Sequence, residues 1–207
     1  YEDQKQGEKV KVTCTKSNEG FATAGGVQYV ACAGNFKDAG LEYTGALKVL
    51  QMIFSYEYLW IQIRVKGGAY GCMCSFSDQG DSMFVTYRDP NLSESYKVYD
   101  EAADYVADFD ADDRDMKKYI IGTIGSMDMP MEAVDMGARS FHAYFLGKTE
   151  ADLQKVRDQV LSCTQEDIRA LAPIVKAVVE AGNRCCIGNE EKIDQNKEYF
   201  DEVKHVL

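Results

Sequence analysis

Near Tyr43 the apolar residues of this 207-residue chain change their period, and that change decides which kind of fold is open to it. Before it, residues 20 to 36 are rich in β-branched, aromatic and small side chains. Val27, Tyr29 and Ala31 alternate with Gln28, Val30 and Cys32, the period of two that a pleated strand imposes. After it, Leu47, Leu50, Phe54 and Leu59, with Val49, Ile53 and Trp60, recur at helical spacing. They predict a mostly buried helix or helix pair from Tyr43 to about Val65. Two glycines, Gly67 and Gly68, end that pattern. Runs of strand character follow from Ala69 to Phe76 and from Met83 to Tyr87, joined by Ser77-Asp78-Gln79-Gly80-Asp81, and read as a hairpin.

Helices then dominate to about residue 181. Asn91-Leu92-Ser93-Glu94 has the residue types of a helix start, where a short polar side chain satisfies the free amides of the first turn. Tyr96, Tyr99, Ala103 and Val106 mark one inward face. Tyr119, Ile120 and Ile124 mark a second, and Leu153, Val156, Val160 and Leu161 a third. Thr164-Gln165-Glu166-Asp167 resembles another cap, before Ile168, Leu171, Val175 and Val178. Gly182 suits the left-handed residue that closes a helix, and Arg184 to Ile187 reads as a last short strand. Strand, long helix, hairpin, several helices and a closing strand predict an α+β fold: a largely antiparallel sheet with helices packed on one face. No repeat or low-complexity linker interrupts it, and the three prolines stand at element boundaries, so residues 1–207 read as one domain.

Composition narrows the functions. The formal charge of −11 excludes a polyphosphate partner, because nucleic-acid binding depends on Lys and Arg displacing counterions. No run approaches the length of a membrane-crossing helix, so no membrane partner is expected. Residues 1–9 are polar, without the apolar core of a secretory signal, and the start at Tyr1 leads us to expect a piece of a longer protein. The seven cysteines are an odd number in a chain too large to need disulfide staples. We read them as reduced thiols, small apolar fillers of a core.

A complete active site is missing from the sequence. With two histidines, His142 and His205, neither zinc-peptidase motif can be assembled; we read His142 as a packed helix residue and His205 as solvated. There is no serine nucleophile elbow, and the glycine pair lacks the frame of a phosphate loop. What remains is Arg64 and Tyr70, on either side of Gly67 and Gly68. A planar fork of N–H donors and one directional O–H suit a carbonyl oxygen or the anion it becomes on attack. The same pair also fits an arginine stabilised by a helix C-terminus beside a half-buried strand tyrosine.

Arg64-Val65-Lys66-Gly67-Gly68-Ala69-Tyr70-Gly71 resembles the C-terminal-half signature of the presequence protease and falcilysin branch of the pitrilysin/insulinase zinc metallopeptidases. Tyr87-Arg88-Asp89-Pro90-Asn91, Ile121-Gly122-Thr123-Ile124, Gly147-Lys148-Thr149 and Gln165-Glu166-Asp167-Ile168 continue the likeness from about residue 20 to 190. The resemblance implies a pitrilysin-like domain, the fourth of four, in an enzyme that closes around unfolded peptides. Zinc would be bound by another domain, and none by this chain. Arg64 and Tyr70 match the positions that hold substrate backbone near the scissile bond, with Gly67 and Gly68 shaping the substrate-facing turn. The partners implied are unfolded peptides and sibling domains; the fragment alone should be inactive. The setting implied is a bacterial cytoplasm, or an organelle matrix in a eukaryote. The same fold also serves as a non-catalytic assembly domain, which stays open as an alternative. The acidic residues from Asp100 to Asp115 either draw basic peptides or form a solvated helix face.

Overall fold

The computed structural model describes residues 15–206. Its centre is one six-stranded sheet in the order β3-β4-β2-β5-β1-β6, built from β1 (Glu19–Thr23), β2 (Tyr29–Asn35), β3 (Gly71–Phe76), β4 (Asp81–Tyr87), β5 (Asn183–Asn189) and β6 (Glu202–His205). The expected hairpin is β3–β4, and β2 pairs antiparallel with β4 and β5. Along β2 the alternation turns Val30, Cys32 and Gly34 inward and leaves Tyr29, Ala31 and Ala33 on the other side.

Among the described residues, the buried positions of β2 and β4 alternate with more exposed ones, which marks the face on which the helices pack. Helix α1 (Ala46–Tyr56) buries Leu47, Val49, Leu50, Ile53 and Phe54, the wide stripe seen in the sequence. The rest of the helical layer is α2 (Ser93–Asp100), α3 (Ala102–Ala107), α4 (Asp113–Met127), α5 (Ala133–Phe145), α6 (Glu150–Leu161), α7 (Gln165–Arg169), α8 (Ala172–Glu180) and α9 (Glu190–Gln195). Tyr96, Tyr99 and Val106 are fully buried, as are Ile168, Val175 and Val178. A Cβ on Gly34 would stand 2.5 Å from the Val178 carbonyl oxygen, so this glycine lets α8 lie directly on the sheet. Thr164 caps α7 through a reciprocal box with Asp167, and Gly182 follows α8 at φ 63°.

Several expectations are corrected. The single strand over residues 20–36 is two strands, separated around Gly25 and Gly26, and β1 runs parallel to both β5 and β6. Alternation reports which face a side chain takes but not which strand lies beside it. The strand at Arg184–Ile187 is not the last, since α9 and β6 come after it, and it lies inside the sheet between β2 and β1. Of the helix or helix pair expected from Tyr43 to about Val65, the pair is what forms: α1 breaks at Glu57 (φ −111°, ψ −85°) and the chain resumes as a segment whose π-helical turns, Trp60–Lys66, the spacing did not foretell. His142 is exposed rather than packed, because α5 buries none of its residues. For the same reason Leu153 and Leu161 of α6 stay largely exposed, and Val160 alone of that expected face is fully buried.

The six described cysteines are free thiols, and Cys14 lies outside the described residues. Burial pushes Cys32 up to about 11 and Cys186 up to about 12, which keeps them neutral core fillers at physiological pH. Much of the acidic run is paired locally. Asp100 accepts from Arg184 at 2.7 Å, Asp110 lies 3.5 Å from Arg169, and Asp112 caps α4 by accepting from the Asp115 amide.

Candidate functional site

The π-helical segment delivers its last residues to the rim of the sheet with wide turns. The Gly67 amide reaches back to the Gln62 carbonyl at 3.1 Å, and the Ala69 amide to the Ile63 carbonyl at 3.1 Å. Segments of this kind depart from regular α-helical hydrogen bonding and are frequent at functional sites. Both glycines have a local cause. A Cβ at Gly67 would sit 2.5 Å from the Ile63 carbonyl oxygen, and Gly68 takes φ 81°, which side chains resist.

The turn brings Arg64 and Tyr70 together. The Arg64 guanidinium carbon lies 4.1 Å from the centre of the Trp60 ring and 6.0 Å from that of Tyr70. Trp60 is four residues before Arg64, so the guanidinium stacks on its own helix and is presented sideways toward the tyrosine. Tyr70 is 68% exposed and is braced edge-on by Tyr87, with ring centres 5.9 Å apart. Both donors stand on one solvent-facing rim, with neither beneath packed side chains.

Behind that rim the segment Tyr87–Asn91 acts as a buttress. The Tyr70 amide donates to the Arg88 carbonyl, and Arg88 takes φ 50°, a left-handed conformation in a non-glycine residue. The Asn91 side-chain amide donates to the Gly67 carbonyl at 2.6 Å, pinning the glycine turn. Asp89 is fully buried. Its carboxylate accepts from the Asn91 amide at 2.9 Å and from Ser95 Oγ at 2.6 Å, while its backbone exchanges two hydrogen bonds with Gln28. Burial raises its pKa above the ordinary 3.8 against the pull of these donors. The cap expected at Asn91-Leu92-Ser93-Glu94 is therefore not formed: Leu92 occupies the cap position, and Asn91 is spent on Gly67.

Sequence reasoning named Arg64, Tyr70, Gly67 and Gly68 and missed Trp60, Asp89 and Asn91 as their supports. The four-residue spacing of Trp60 and Arg64 was the available signal. A recess of about 360 Å³ between α1 and α4, lined by Gln51, Met52, Thr123 and Met127 among others, involves neither rim donor. Among the described residues, no group of three His, Cys, Asp or Glu side chains can hold a metal ion. His142 is exposed on α5, while His205 of β6 lies 3.2 Å from Glu190. No helix among the described residues is long and apolar enough to cross a membrane.

The comparisons with known proteins agree with this architecture. Over 192 residues the chain is 43% identical to protein HypA of Clostridium perfringens, covering 93% of this chain and 20% of that protein. It is 34% identical over 194 residues to presequence protease 1, chloroplastic/mitochondrial, of Arabidopsis thaliana, covering 92% of this chain and 18% of that one. The chain thus spans about a fifth of the length of these curated relatives. In fold it is similar to the peptidase M16 inactive domain from Pseudomonas fluorescens, with a TM-score of 0.59 and 16% identity over 83% of this chain and 43% of that one. Residues 18–189 match the family model described as PreP C-terminal domain, and the chain belongs to that family.

Proposed function

We propose that this chain is the fourth, substrate-holding domain of a zinc-dependent oligopeptidase, and that Arg64 and Tyr70 hold a backbone carbonyl of an unfolded peptide beside the scissile bond. The observation that carries the reading is the convergence of the two donors: a guanidinium stacked on Trp60 lies 6.0 Å from an exposed phenol braced on Tyr87. The distance is to the ring centre; to share one carbonyl oxygen the guanidinium turns from the ring toward the phenol O–H, and both side chains are exposed and free to do so. In a water-poor closed chamber such donors favour the oxygen more as charge grows on it, which lowers the barrier to attack. Gly67 and Gly68 shape the turn that carries this rim, Gly67 by its close approach to the Ile63 carbonyl and Gly68 by its positive φ.

Among the described residues no group of side chains fits a zinc site; in this reading the metal and the general base come from other parts of a longer parent, and the domain alone would not cleave peptides. The implied partners are unfolded peptides and the sibling domains; the implied setting is a bacterial cytoplasm or an organelle matrix. In the full-length parent, Tyr70→Phe removes one O–H and is expected to lower kcat on the order of 10²-fold, the typical effect of losing one oxyanion donor. An unchanged kcat rejects the role of Tyr70. Arg64→Lys keeps the charge but loses the planar fork, and is expected to fall with it.

A further inference from the structure

Among the described residues the helices lie on one face of the sheet, and the side chains on the other face stay partly exposed. Where it meets the rim, this face carries an ordered row of rings. Tyr70 lies edge-on to Tyr87 at 5.9 Å, and Tyr87 edge-on to Tyr29 at 5.5 Å. The strand register extends the row, since Tyr29 pairs with Ile187 and Ile187 with Phe21. Tyr29, Tyr87 and Ile187 are between 38% and 46% exposed, although each lies within the sheet. A second row, Met73, Val85, Ala31 and Cys185, runs beside the first and is equally uncharged. Charge enters these two rows only on β1 and β6, where Glu19 pairs with Lys204 and the ammonium lies 5.6 Å from the Phe21 ring centre.

We propose that this partly exposed face is a track that binds the apolar and aromatic side chains of an extended peptide running across the strands from the Arg64–Tyr70 rim. The inference rests on the function proposed above and adds a substrate class to it. Three observations favour this occupant. The track is continuous with the rim through Tyr70 itself. Its rings are 5.5 and 5.9 Å apart, close to the ~6.6 Å between alternate side chains of an extended chain. Its two rows nearest the rim are uncharged from β3 to β5, with Asp81 of β4 on the same face but two positions beyond Met83, so they offer transfer from water to apolar and aromatic side chains and no compensation to charged ones. Four strand spacings of ~4.8 Å separate Tyr70 from Phe21, a span of ~19 Å, which about six extended residues cover.

The test uses the full-length parent with Tyr29→Ser and Ile187→Ser combined. Its substrates are peptides of about four residues, too short for the track at ~3.3 Å per residue, and of about twelve. The long peptides come in two forms, with aromatic or with Ser and Gln side chains at alternate positions. The KM of the long aromatic peptide is expected to rise about tenfold relative to that of the short one, the loss of about 1.4 kcal/mol of apolar contact. The long polar peptide should follow the short one. An equal KM change for all three, or none for any, overturns the track. Tyr70→Phe acts on kcat irrespective of peptide length, so failure of the rim and failure of the track read out separately. A second measurement guards against misfolding: in the parent carrying Ile187→Cys, the new thiol should be alkylated at a mass-mapped position and protected by the long aromatic peptide. A thiol that does not react in the free enzyme means that another part of the chain covers this face, and overturns the proposal.

Discussion

The Asn91 side-chain amide donates to the Gly67 carbonyl at 2.6 Å and so ties the segment after the hairpin to the glycine turn. The contact joins residues far apart in sequence at the point where the backbone must hold Arg64 and Tyr70 on one rim. Asn91→Ala should lower stability by about 1 kcal/mol, the net worth of one hydrogen bond, as read from urea unfolding of the chain. In the parent it should also lower kcat while Arg64 and Tyr70 remain in place. A variant with the stability loss but an unchanged kcat would show that the turn keeps its shape without the brace.

The two glycines should respond differently to alanine. At Gly68 the penalty is conformational: φ 81° costs an L-residue roughly 1–2 kcal/mol, and the nearest atom to an added Cβ is Pro90 Cγ at 3.6 Å. At Gly67 the backbone is ordinary, but an added Cβ meets the Ile63 carbonyl oxygen at 2.5 Å, so the π turn itself must shift. We expect Gly67→Ala to cost about 1–3 kcal/mol by overpacking and to disturb the rim more than Gly68→Ala does. Urea midpoints of both variants, and turnover in the parent, give the order. The reverse order would mean that left-handed strain at Gly68, rather than the wide turn, sets the geometry.

Asp89 gives a pH dependence of defined sign. Its folded pKa is raised by burial above the ordinary 3.8, so across that interval the native state holds more proton than the unfolded chain. Stability from this group is therefore present at the acid end and is lost as pH rises through the folded pKa. Asp78 and Asp128, held below the ordinary range by Lys148 and Arg157, have the opposite slope. Those slopes are common to wild type and Asp89→Asn and cancel in their difference. Plotted as variant minus wild type, unfolding free energy should climb as pH rises from near 4 and then level off. A flat or falling difference would mean that the donors from Ser95 and Asn91 outweigh burial.

Much of this fold is legible in the sequence because it is written in local patterns. The apolar stripe from Leu47 to Phe54 specifies α1, Thr164 with Asp167 specifies a cap, and Gly182 marks a helix end. Other features depend on what lies opposite. The period of two in β1 places Gly20 and Ala22 inward but is silent about β5 and β6, whose parallel pairing crosses most of the chain. Helix α5 has the spacing of a packed helix, yet Val134, Phe141 and Tyr144 are exposed, since periodicity shows an apolar face and not what covers it. The candidate site divides in the same way. Arg64, Tyr70 and the glycines stand within one short stretch, whereas Asn91 is equally suited to a cap and to a brace, and only the fold brings it to Gly67.

The stack of Arg64 on Trp60 separates positioning from charge. The guanidinium carbon lies 4.1 Å from the ring centre, an exposed cation–π contact worth about 0.5–1 kcal/mol. Without the ring, the arginine keeps its charge and donors but samples more rotamers, so fewer of its conformations face Tyr70. Trp60→Leu in the parent should therefore lower kcat by only a few-fold, far less than Arg64→Ala, and Trp60→Phe should restore part of the loss by returning a ring face. Because Trp60 supports only Arg64 in this scheme, Trp60→Leu should have almost no further effect in an Arg64→Ala background. A full additional loss in that double variant would mean that the indole contacts the peptide directly and does not serve as a rest for the guanidinium.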